Sequence, residues 1–154
     1  MKYISTRNGS KEFNFTEVFI KGLADDGGLF IPKTIPAISE QDLLRLSKLN
    51  YKDLAKEIIF LFCDETIIKD ELSNIVEKSY SKFNEKNVVK ITDIGENKIL
   101  ELYHGPTLAF KDIAMQFIGH LYDHHLKNLK KKINVVVATS GDTGSAAIDA
   151  IKGK

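Results

Sequence analysis

One lysine in this chain stands where a lysine can do covalent chemistry. It lies in His104-Gly105-Pro106-Thr107-Leu108-Ala109-Phe110-Lys111-Asp112, where a strand-like run passes through a Gly-Pro turn into a helix-like one. An ammonium near a helix N-terminus is disfavoured by the helix dipole, and Leu108 and Phe110 are expected to desolvate it. Both effects lower a lysine's pKa and favour the free amine that Schiff-base chemistry needs. Further along, Val135-Val136-Val137-Ala138-Thr139 opens into Ser140-Gly141-Asp142-Thr143-Gly144-Ser145. That loop offers backbone N–H groups, hydroxyls and a carboxylate at a helix start, a combination that can hold a phosphate or carboxylate. On residue types alone, a surface lysine and a plain helix cap remain the alternatives.

Other readings of these residues are weaker. The loop is not a P-loop, because no Gly-Lys-Ser/Thr follows, and it is not Gly-x-Gly-x-x-Gly. Asp142-Thr143-Gly144 spells the aspartic-protease triplet, but that chemistry needs two such aspartates sharing a proton. His104, His120, His124 and His125 show no metal-ligand pattern. His124 and His125 read as a solvated helix face, and His120 as the edge of a core. Asp25-Asp26-Gly27-Gly28 reads as a turn, since no calcium-ligand series continues from it. The lysines of 127–132 complement a helix C-terminus.

The elements that must carry the lysine and the loop follow from periodicity. Phe15–Lys21 is a short helix stopped by Gly22, and Gly22 to Pro32 is turn-rich and then extended. Ser39-Glu40-Gln41-Asp42 and Asn50-Tyr51-Lys52-Asp53 both look like helix starts. Leu54, Ile58, Phe60, Leu61 and Phe62 mark a buried helix, and Leu72, Ile75, Val76 and Tyr80 mark another over 69–82. Residues 88–92 and 98–103 read as a hairpin around 93–97. A long helix follows over 110–130, then a strand over 133–139 that reads as buried on both faces, then a helix over 144–152.

Strand 98–103, helix 110–130 and strand 133–139 then form one β-α-β unit. Its strands are expected to be parallel, with the loops after both at one sheet edge, where open α/β sheets bind ligands. That topology would bring Lys111 and residues 140–145 to the same side.

At 154 residues the chain is long enough to bury one ordinary core. Its 22 Lys+Arg against 21 Asp+Glu give a net charge of +1, which gives no electrostatic case for nucleic-acid or membrane partners. The single cysteine, Cys63, reads as a buried thiol in a reducing compartment. There is no signal-peptide run at the N-terminus and no apolar stretch long enough to span a bilayer, so the chain reads as cytoplasmic.

Four segments in order resemble the threonine synthase family. They are Ser5-Thr6-Arg7, Gly22-Leu23-Ala24-Asp25-Asp26-Gly27-Gly28-Leu29-Phe30-Ile31-Pro32, the lysine motif at 104–112, and Ala138-Thr139-Ser140-Gly141-Asp142-Thr143-Gly144. The resemblance implies a pyridoxal 5'-phosphate (PLP) enzyme of fold type II, a lyase that converts O-phospho-L-homoserine and water to L-threonine and phosphate. It implies Lys111 as the catalytic and cofactor-bearing lysine, and Phe110 and Asp142 beside the cofactor. Ser140, Gly141, Asp142, Thr143 and Gly144 would line the substrate site. Related PLP enzymes carry Asn where Asp142 stands.

The implied fold is α/β. A mainly helical N-terminal domain over 1–85 precedes the first β-α-β part of a PLP-binding, tryptophan synthase β-like domain over 86–154. The family's phosphate-binding loop and its partner for the pyridine nitrogen are not recognisable here. The chain is therefore expected to be an N-terminal portion, inactive alone. A phosphometabolite-binding module without catalysis, or a purely structural fragment, is the alternative reading.

Overall fold

The computed structural model describes residues 1–63 and 66–154. The elements run β1 (Tyr3–Ser5), α1 (Phe15–Lys21), β2 (Phe30–Pro32), α2 (Glu40–Leu46), α3 (Tyr51–Cys63) and α4 (Lys69–Ser79). They continue with β3 (Lys90–Ile94), β4 (Asn97–Glu101), α5 (Asp112–Leu129) and α6 (Asp142–Ile151). This is a mixed α/β chain of helices and small sheets. Two compact units divide it: Met1–Leu49 with Asp53–Ser73, and Asn50–Lys52 with Asn74–Lys154. Among the described residues, no helix is long and apolar enough to cross a membrane.

In the first unit, caps set the helix ends. The Asn14 side chain accepts from the Glu17 N–H while Glu17 accepts from the Asn14 N–H, a reciprocal box that opens α1. Gly22 closes that helix at φ +74°, a conformation costly for any residue with a Cβ. Ser39 caps α2 through the Asp42 N–H. β1 and β2 pair antiparallel with Tyr3 opposite Pro32 and Ser5 opposite Phe30. Two motif segments meet on this pairing: Ser5 Oγ donates to Asp26 Oδ1 at 2.8 Å, and Arg7 Nη1 donates to the Asp26 carbonyl at 3.0 Å. The core gathers Tyr3, Val18, Ala24, Leu46, Cys63, Ile67 and Leu72. Burial pushes the Cys63 thiol up to about 12.

In the second unit, the Tyr80 ring stands edge-on to both Tyr51 and Phe83, and its hydroxyl donates to the Ile113 carbonyl. β3 and β4 form the expected hairpin, in register from Lys90–Glu101 to Ile94–Asn97 and turned at Gly95. α5 and α6 pack closely along small residues. A Cβ on Gly119 would lie 2.5 Å from the Ala150 carbonyl oxygen, and Ala146, Ala147 and Ala150 are buried.

Two expectations are corrected. Residues 133–139 form no strand among the described residues, and Val136 is 92% exposed. A β-branched run needs a neighbour to complete its hydrogen bonds. The neighbour expected to supply one, β4, pairs antiparallel with β3 across the two-residue turn at 95–96, and no strand lies beside residues 133–139 among the described residues. The β-α-β unit with parallel strands is therefore not formed among the described residues. His125 is buried rather than solvated, because it lies one turn beyond buried Leu121 on the same face of α5.

Candidate functional site

Lys111 occupies the N-cap position of α5, already in helical conformation (φ −64°, ψ −22°). Its Nζ lies 4.5 Å from the centre of the Phe110 ring, and it has no carboxylate partner among the described residues. Leu108 and Phe110 are 67% and 55% exposed, so they do not desolvate the amine as expected. The reason is local: Leu108 takes a left-handed conformation at φ +61°, and the side chains of Leu108 and Phe110 face outward on either side of buried Ala109.

What holds that segment is the next residue. Asp112 is fully buried, and its carboxylate reaches back to Thr107. Oδ2 accepts from the Thr107 N–H at 2.8 Å and Oδ1 from the Thr107 hydroxyl at 2.7 Å. Gly105 lies against it so closely that a Cβ there would be 2.4 Å from the Asp112 Cβ. At the entrance to the loop, His104 Nε2 is 2.9 Å from Glu101 Oε2, while Thr92 Oγ1 donates to Glu101 Oε1. The Thr92 hydroxyl, with Tyr103 and His104, holds the Glu101 carboxyl below the ordinary carboxylate range.

The glycine loop opens α6. Gly141 is its N-cap at φ +147°, and no side chain caps the helix. Thr139 Oγ1 accepts the Gly141 N–H at 3.2 Å. The N–H groups of Asp142, Thr143 and Gly144 donate to nothing among the described residues. Ser140, Gly141 and Asp142 are exposed, Thr143 is half-buried and Gly144 is buried. A Cβ on Gly144 would meet Thr139 Cγ2 at 2.6 Å, so the loop closes tightly on itself. This leaves an open, positively polarised helix end suited to an anion.

Helix packing, not a parallel sheet, relates the two segments. Gln116 Nε2 donates to Asp149 Oδ2 at 2.7 Å, and Gly119 meets Ala150. Contacts therefore advance in the same direction on both helices, and α5 and α6 run parallel. Counting back at ~1.5 Å per residue, Lys111 lies roughly 7.5 Å before Gln116 and Asp142 roughly 10.5 Å before Asp149. Counting back from the Gly119–Ala150 contact gives eight residues to each start, so the two helix starts lie at one end of the pair.

The family model described as "Threonine synthase N terminus" matches residues 2–80, just over half of the chain. The chain belongs to the threonine synthase family. It is 48% identical to the threonine synthase of Saccharomyces cerevisiae, over 99% of this chain and 33% of that protein. It is 40% identical to the threonine synthase-like 2 of Xenopus laevis, again over 99% and 33%. The PLP-bound threonine synthase from Brucella melitensis superposes with a TM-score of 0.95 at 36% identity, covering 99% of this chain and 33% of that one. The chain thus spans about a third of the length of these relatives, at their N-terminal end.

Within this family member, sequence reasoning passed over Asp112, Thr107 and Glu101. A threonine five residues before an acid at a helix start was the available signal for the first pair.

Proposed function

We propose that this chain is the N-terminal portion of a cytoplasmic, PLP-dependent threonine synthase, a lyase converting O-phospho-L-homoserine and water to L-threonine and phosphate. Residues 1–85 would be its mainly helical domain and 86–154 the start of its PLP-binding domain. The observation that carries the reading is the pairing, at one end of the α5–α6 pair, of an amine without a carboxylate partner and a helix start with free N–H donors.

The residues fit the group. Lys111 offers Nζ to a carbonyl carbon, with the Phe110 ring beside it as an apolar face. When bound, PLP supplies an electron sink for negative charge developing on the substrate's carbon skeleton. Lys111 then has a second task, taking and returning protons at the substrate carbons, for which an amine free of ion pairs is suited. The N–H groups of Asp142, Thr143 and Gly144, with the hydroxyls of Ser140 and Thr143, orient the substrate by its carboxylate. Asp142, at the start of α6, would lie beside the cofactor. The buried lone thiol of Cys63 accords with a reducing compartment.

Phosphate release from O-phospho-L-homoserine by the full-length protein tests this reading. The expected result is turnover in the wild type that falls to background in Lys111→Ala. Unchanged ligand binding with no turnover in either protein would instead favour a phosphometabolite-binding module.

A further inference from the structure

We propose that Asp112 is a positioning residue for Lys111, acting through a clasp on Thr107 that sets the direction of the lysine amine. The proposal rests on the reading of Lys111 as the cofactor lysine. A fully buried carboxylate is rare without a cation, and Asp112 has none among the described residues; its partners are the Thr107 N–H and hydroxyl. An acid that served only to complement the helix dipole would do so from the solvent-exposed surface. This one turns back across the loop instead.

The clasp has a job to do. Between its two ends lies Leu108 at φ +61°, a strained conformation that persists only where the surroundings impose it. The Leu108 N–H bonds to the Gly105 carbonyl at 3.1 Å, and the Asp112 N–H to the Ala109 carbonyl at 3.0 Å. These turns are short, and neither spans the loop. The Asp112–Thr107 pair does, bringing the ends of the 107–112 segment together and fixing the backbone of Lys111 between Phe110 and a buried neighbour. Gly105 completes the fit, since any side chain there would displace Asp112. Lys111 therefore leaves the protein from a fixed base, with its amine beside the Phe110 ring and no carboxylate partner among the described residues.

The test is the rate at which PLP labels Lys111 in the full-length protein, trapped by borohydride and read by peptide mass, with labelling of the other lysines as internal reference. Removing one bond to a buried charged group is expected to slow Lys111 labelling about tenfold in Thr107→Val, while Thr107→Ser, which keeps both donors, labels like wild type. Asp112→Ala and Gly105→Ala are expected to slow it further, with the reference lysines unchanged. Wild-type labelling rates in Thr107→Val would overturn the proposal, and so would a Thr107→Ser variant no better than Thr107→Val. Amide exchange reads the clasp independently. Thr107 N–H is expected to be protected in the wild type and exposed in Asp112→Ala, and a rapidly exchanging Thr107 in the wild type would also overturn it. Failure of the wild type to label at Lys111 would reject the cofactor reading instead, leaving the clasp to be judged by exchange.

Discussion

Substituting Gly119 by alanine sets two effects of known size against each other. Helix propensity favours the variant, because alanine is better than glycine in a helix interior by about 0.8–1.0 kcal/mol. Packing opposes it. The new Cβ would lie 2.5 Å from the Ala150 carbonyl oxygen and 3.0 Å from its carbonyl carbon. These are backbone atoms in the last turn of α6, so no side-chain rotation relieves the contact. Restoring ordinary separation requires the helices to part by somewhat under 1 Å, loosening the seam at buried Ala146, Ala147 and Ala150. Overpacking of this kind costs ~1–3 kcal/mol. Because the obstacle is rigid, the upper half of that range applies, and the net effect is a loss of about 1–2 kcal/mol. Urea unfolding followed by circular dichroism at 222 nm, with amide exchange in α5 and α6 to localise the change, measures it. At a slope of about 2 kcal/mol per molar urea, the middle of the range for small proteins, the midpoint falls by roughly 0.5–1 M. A midpoint equal to or above wild type would mean that propensity outweighs packing, and would refute the close parallel seam between the two helices.

Asn14→Ala removes one half of the capping box at the start of α1 and is expected to cost about 0.5–2 kcal/mol in thermal unfolding, while Asn14→Ser keeps most of the stability. Asp26 is held below the ordinary carboxylate range first by the Gly28 N–H and next by the Ser5 hydroxyl. Its contribution to stability is therefore full above the unfolded carboxylate pKa and lost as pH falls through the lower folded value. A carbon-13 titration should place Asp26 low, and Ser5→Ala should move it upward. Cys63, pushed up by burial, is expected to react with a thiol reagent only after unfolding, which a stopped-flow assay with and without denaturant will show. The 154 residues expressed by themselves are expected to release no phosphate from O-phospho-L-homoserine, since they span about a third of the length of the threonine synthases they match.

Local signals were legible wherever the deciding chemistry lies within a few residues. The cap of Ser39 on Asp42 and the stop at Gly22 both act over one helical turn. The 90–101 hairpin closes over two residues, and Lys111 does stand at a helix start. Features that depend on distant partners were not legible. The run at 133–139 has the composition of an interior strand, yet composition carries no information about which edge it meets. His125 is polar by type but lies on the buried face of α5, which only the choice of packing partner decides. The outward turn of Leu108 and Phe110 depends on a positive φ that no leucine favours, imposed by Asp112 reaching back to Thr107. At the site itself, the sequence places the lysine and the loop after successive elements. Their relation comes from Gln116, Gly119, Asp149 and Ala150, whose types and spacing carry no mark of the partner helix they meet.

The central claim is that Lys111 is the residue that takes the cofactor. Incubating the full-length protein with PLP, reducing with borohydride and mapping the peptides tests it most directly. The account predicts a pyridoxyl adduct on Lys111 alone, absent from Lys111→Ala. An adduct on a different lysine, or one scattered over the surface lysines with Lys111 unmodified, would contradict it.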